Sequence, residues 1–230
     1  MTTSLDICNR ALSMIGTRSS ISSMTEDSPE ARMCSLHYDN TLTSILRVHN
    51  WSFARRQASL ALLGAATGTP ENADGSGTLS LDPYLYKYAY PLDCLRTRSI
   101  YQPASAGTAI PYLISSDQDD AKNDILVILC NQPQAVMVYT AMIRNPDLWD
   151  NEFSDAMVAS LASDLAMPLT GSESLIKLCA AQANAALLLA RTTDSTETPT
   201  NRETIPDWIQ VRGFSTSSSA DSGFINAMMG

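Results

Sequence analysis

A chain of 230 residues with a net charge of −9 is long enough for one large domain or two small ones, with a sizeable core. The charge is uneven: residues 1–100 carry nine basic and nine acidic side chains, residues 101–230 six and fifteen. Such an acidic second half argues against a broad grip on DNA, which needs clustered cations, and no window approaches the ~20 uninterrupted apolar residues of a membrane span.

The opening MTTSLDICNRAL lacks the basic region of a secretory leader and turns amphipathic at once. Thr3-x-x-Asp6 has the form of a capping box, while Leu5, Cys8, Leu12 and Ile15 share one face. With Gly16 placed as a stop, this predicts a helix over 4–15. After a Ser-rich turn, Ser28-Pro29-Glu30 supplies a cap, a first-turn proline and an early acid. Ala31, Cys34, Tyr38, Leu42, Ile45 and His49 then hold one apolar face, predicting a helix over 28–49.

The period changes at HNWSFARRQASL, where Trp51, Phe53, Ala58, Leu60 and Leu62 suggest a turn into an extended segment. A Gly/Pro/Asp-rich loop fills 64–83. Beyond it Tyr84, Tyr86, Tyr88 and Tyr90 alternate on one side of a strand. ILVILC and AVMVYTAMI, joined by NQPQ, read as a buried hairpin, so the β region is predicted over roughly 52–140.

Helix returns over 150–168, where Phe153, Met157, Leu161 and Leu165 are spaced by four and Pro168 and Gly171 break the run. A second helix is predicted over 172–191. Leu175, Leu178, Cys179, Gln182, Ala186 and Leu189 form one face, and Ile176, Ala180, Ala183 and Leu187 another. A helix apolar on two faces is buried on two sides, and another subunit is a candidate for the second. From 192 onward the chain is too rich in Ser and Thr to bury enough surface to fold alone, but IPDWIQVRGF and FINAMMG interrupt it. Trp208, Arg212, Phe214 and Phe224 are the anchors by which such a segment docks on a partner. The fold class read from this order is α+β: mainly a helical bundle over 1–191, with an inserted small antiparallel β region and an extended C-terminal arm over 192–230.

Chemistry-bearing constellations are thin. Cys8, Cys34, Cys94, Cys130 and Cys179 are odd in number and form no C-x-x-C pair, so they read as small buried residues of a reducing compartment. Cys34 and His37 lie close enough on one helix to touch, but no oxyanion loop or orienting acid accompanies them as a hydrolase needs. DQDDAKND, residues 117–124, lacks the glycine and distal glutamate of a calcium loop and reads as a solvated turn. No catalytic, cofactor-binding or metal-ligating residue is assigned. Arg47, Arg55, Arg56, Arg96 and Arg98 with the tyrosine ladder offer an alternative, a nucleic-acid-binding module. With one Lys and no Arg inside it, half-buried strand packing is the better account of the ladder.

Three stretches in order, ICNRALSMIG, SPEARMCSLHYDNTLTSILRVHNWSFARRQASLALL and YKYAYPLDCLR, resemble the head-to-tail adaptor family of short-tailed bacteriophages, the tail tubular protein A type. The matching positions are Ile15–Gly16, Ala31–Cys34–Tyr38, Trp51–Phe53–Ala54 and Tyr88–Tyr90–Pro91–Asp93–Cys94–Leu95–Arg96. PDWIQVRGF resembles a late Trp-x-x-x-Arg segment of the same family. The chain departs from the pattern in reading Pro91–Leu92 where the family has Leu-Pro, and in the length of the 64–83 loop.

The resemblance implies a structural virion protein without catalysis, assembled in the host cytoplasm. About twelve copies form a ring between portal protein and tail nozzle, a tail tubular protein B type protein, and complete the head after packaging. DNA passes through the channel without specific binding, and no membrane is involved. In that setting Trp51 and Phe53 are expected to clamp the long helix onto the β region. One of Arg55 and Arg56 faces a carboxylate, and the other a neighbouring subunit or the portal.

Overall fold

The computed structural model describes residues 2–65, 84–102, 109–118 and 122–197. Helix α1, Ser4–Met14, starts where the Thr3 hydroxyl accepts from the Asp6 amide at 3.1 Å while the Asp6 carboxylate accepts from the Thr3 amide at 2.9 Å. Two orphan donors are thereby satisfied reciprocally. Gly16, at φ +78°, turns the chain out of the helix. Helix α2, Pro29–Val48, is capped by Ser28 and buries Ala31, Cys34, Tyr38, Leu42 and Ile45, the face predicted for it.

Among the described residues seven strands run between α2 and the next helix: β1 Arg55–Ser59, β2 Leu62–Ala65, β3 Tyr86–Ala89, β4 Cys94–Tyr101, β5 Tyr112–Gln118, β6 Asp124–Cys130 and β7 Val136–Ala141. They form two antiparallel sheets, ordered β1-β7-β4 and β2-β3-β6-β5. The chain is therefore a mixed α+β protein. The predicted hairpin is not formed. β6 pairs with β3 and β5, whereas β7 pairs with β1 and β4, so Asn131–Gln134 cross from one sheet to the other. Both runs are apolar on both faces, and such a strand fits the centre of a sheet without specifying its neighbour.

Helix α3, Asn151–Thr170, follows a short 3-10 turn at Pro146–Leu148. It does not stop at Pro168, because a proline in the last turn removes one amide and leaves the preceding ladder intact. The Thr170 hydroxyl donates to the Ala166 carbonyl at 2.6 Å, and Gly171 at φ +62° ends the helix. Ten of its residues are buried, Phe153, Met157, Leu161 and Leu165 among them, and α1, α2 and α4 all pack against it.

Helix α4, Glu173–Glu197, runs six residues past the predicted end at 191. Its two predicted faces are redistributed. Cys179, Ala190 and Asp194 are buried against the body, with Leu175, Ile176, Ala183, Ala186 and Leu187 half-buried beside them. Leu178 and Leu189, expected beside Cys179, stand 53% and 61% exposed. By length and composition α4 is long and apolar enough to cross a membrane, although Lys177, Gln182 and Asn184 interrupt its apolar run.

Candidate functional site

The turn after α2 reverses the chain with side chains that serve as caps and wedges. The Trp51 ring is 1% exposed, and its Nε1 donates to the Ile45 carbonyl at 3.0 Å, satisfying one of the last carbonyls of α2. Trp149 repeats the device before α3, donating to the Ile143 carbonyl at 3.0 Å. Phe153 joins the two: its centroid lies 4.9 Å from Trp51, 4.8 Å from Phe53 and 5.2 Å from Trp149, edge-on to each. Trp51 and Phe53 therefore pack the end of α2 onto α3 through Phe153, while the tie to the β region runs through the backbone, where the Ala141 amide donates to the Ala54 carbonyl at 2.9 Å. Phe153 is fully buried, and aromatic rings pack edge-on against such a core aromatic.

The backbone of this turn is held from two further sides. Asp194, 5% exposed on α4, accepts from the Ser52 amide at 2.8 Å through Oδ1, and its Oδ2 lies 2.9 Å from His49 Nε2. His49 in turn lies edge-on to Trp51 at 5.0 Å. From the sheet side, Arg98 donates to the Trp51 carbonyl at 2.6 Å and to the Thr140 hydroxyl at 2.9 Å. The register of β4 against β7 shifts between Thr97 and Ser99, and this bulge aims Arg98 at the turn. Burial pushes the Arg98 guanidinium below its ordinary value, and Arg55 and Arg96 push the same way while Asp194 opposes them.

Arg55 and Arg56 are both exposed on β1, and alternation puts them on opposite faces. Arg56 ion-pairs with Asp93, whose carboxylate also accepts from the Tyr139 hydroxyl at 3.0 Å. Arg55 and Arg96 both sit opposite Thr140, on either side of β7, which gathers Arg55, Arg96 and Arg98 on one sheet. Arg96 also reaches the Arg47 carbonyl at 3.3 Å. Tyr88 of the ladder is 1% exposed and donates to the Gln132 carbonyl, whereas Tyr84, Tyr86 and Tyr90 are half-buried. Trp208, Arg212, Phe214 and Phe224 lie outside the described residues.

Where α4 ends and α3 begins, a small recess is lined by Asp150, Glu152, Asp194 and Glu197 together with Trp51 and Phe153. Burial, then Glu197, Asp194 and Glu152, raise the Asp150 carboxyl above the ordinary range. Among the described residues no group of three or more His, Cys, Asp or Glu is placed to hold a metal ion. Cys34 is fully buried, and its thiol faces Cys8, whose Sγ is also 3.6 Å from Met24 Sδ. The Cys8 contact pulls the Cys34 thiol down, while Cys34 and burial push Cys8 up.

Sequence reasoning missed Asp194, and it named Arg98 only as part of a nucleic-acid surface, not as a partner of the turn after α2. Asp194 continues the inner register 179-183-186-190 of α4 by one more turn, a signal masked by the Ser/Thr composition around it. Nothing local marks Arg98, because a bulge arises from pairing. Compared with known proteins, the chain matches no protein-family model and no curated sequence.

Proposed function

We propose that the chain is a structural virion protein, a ring-forming head-to-tail adaptor of a short-tailed bacteriophage. The observation that carries the reading is where the motif residues lie. Trp51, Phe53 and Asp93 are joints: they lock α2 onto α3 and tie β1 to β7. A block fixed at such joints suits a component that transmits assembly and force. In this reading the helices make a bundle, the sheets are an insert, and residues from 198 onward are the extended arm, its start moved from 192 by the length of α4. Trp208, Arg212, Phe214 and Phe224 anchor that arm on the portal or a neighbour, and the exposed Arg55 is a further partner contact. The acidic balance suits a wall along which DNA slides without binding.

Native mass spectrometry of the chain with the portal ring from the same genome tests the reading. The expected outcome is a discrete complex with one copy per portal subunit, about twelve. A chain that ignores the portal sinks the adaptor role. The exposed Arg55 and Arg96, set on either side of Thr140, favour the second reading, a nucleic-acid-binding module. It predicts steeply salt-dependent binding in a low-salt anisotropy titration with DNA. A flat titration removes it.

A further inference from the structure

The outward side of α4 carries Ser174, Leu178, Ala181, Ala185, Leu188, Thr192 and Ser195, all exposed, at alternating spacings of four and three. That is the spacing of a helix–helix seam, and Leu178 and Leu188 stand 53% and 63% exposed on it. Leu189, 61% exposed, widens the stripe on one flank. Small residues at its centre let another helix backbone approach closely. Among the described residues no other helix presents a matching free face: α1 and α2 bury their apolar stripes and α3 is enclosed by the other three.

We propose that this seam is covered by α4 of a second copy, packed antiparallel about a two-fold axis. The order Leu178–Ala181–Ala185–Leu188 reads alike from either end. An antiparallel copy therefore sets Leu178 level with Leu188 and Ala181 level with Ala185. Such a self-complementary patch is what a two-fold interface requires.

Charge selects the same orientation. The C-terminal end of α4 is acidic, with Asp150, Glu152, Asp194 and Glu197 around one recess. The N-terminal end carries the positive end of the helix dipole and Lys177, which pairs with Glu173 at 2.6 Å. Antiparallel packing opposes the two helix dipoles and brings Arg191 of one helix within a turn of Glu173 of the other. Parallel packing would set like ends of the two helix dipoles side by side. A lipid surface is the competing occupant. Asp194 and Cys179, buried against the protein body, fasten α4 to the body along its inner side. This inference rests on α4 alone and holds whether or not the chain is an adaptor. For an adaptor, the pair is a closed storage form that must part before a ring can build.

Sedimentation of the full chain at micromolar concentrations is expected to show a reversible monomer–dimer equilibrium. Leu178→Glu with Leu188→Glu, both at exposed positions, should weaken it more than tenfold while leaving the circular dichroism unchanged. Orientation is read separately by disulfide trapping with diamide, the parent chain setting the background. A mixture of Ala181→Cys and Ala185→Cys chains should cross-link faster than either alone. A chain that stays monomeric overturns the proposal, as does faster trapping of either single variant, which means a parallel pair. An open or ring assembly without the portal overturns it as well. So does a monomer that floats with phosphatidylcholine vesicles and loses this in the Leu178→Glu, Leu188→Glu chain.

Discussion

At the scale of single residues, two groups sit where their chemistry is poorly served. The Tyr38 hydroxyl, on a residue 7% exposed, is buried without a hydrogen-bond partner among the described residues. An unsatisfied buried hydroxyl costs about 1–3 kcal/mol, and Tyr38→Phe removes it while keeping the ring. The variant is expected to be about 1 kcal/mol more stable in urea unfolding; a loss of stability would reveal a partner for the hydroxyl. Asp150 has its carboxyl raised by burial and by Glu197, Asp194 and Glu152. The folded chain therefore holds this proton more tightly than the unfolded chain, and stability falls as pH rises through the raised value. Asp150 directly precedes α3, and Asp150→Asn keeps the size of the side chain while removing the repulsion. It should melt above the parent at neutral pH, and the gap should close as pH falls into the ordinary carboxyl range. A gap independent of pH would mean that the charge is not the cause.

At the scale of elements, the decisive case is the end of α4. Composition places the start of the arm at 192, yet the helix continues to Glu197, and its last turns hold Asp194. That carboxylate fastens α4 to the turn after α2, through the Ser52 amide and His49. Removing the acceptor of a buried hydrogen bond costs about 1–3 kcal/mol when the donor is left unpaired. A chain ending at 191 should therefore lose about 1–3 kcal/mol relative to one ending at 197, read from thermal unfolding. Equal stability of the two truncations would show that the latch contributes little. The caps that begin α1 and α2 were legible because capping depends on residues within one turn. The partner of Asp194 was not, since His49 lies 145 residues away in the chain.

At the scale of the whole molecule, the proposed division of labour puts folding in residues up to 197 and attachment in those beyond. The chain ending at 197 is expected to stay folded and lose binding to the portal ring in native mass spectrometry. Normal attachment would move the portal contact to the folded part, with Arg55 and Arg56 the next residues to replace. By itself the sequence determined the α+β class, the starts of the helices and the apolar faces of α1 and α2, because caps and a 3.6-residue period act within a few turns. It also marked the turn at Trp51 as a joint. Only the tertiary structure decided what the joint holds. Phe153 took the aromatic edges, a bulge turned Arg98 inward, and β6 and β7 parted into different sheets. Strands apolar on both faces carry no address for their neighbours, and a single charge none for its partner. Those choices are made by which surfaces meet when the whole chain packs.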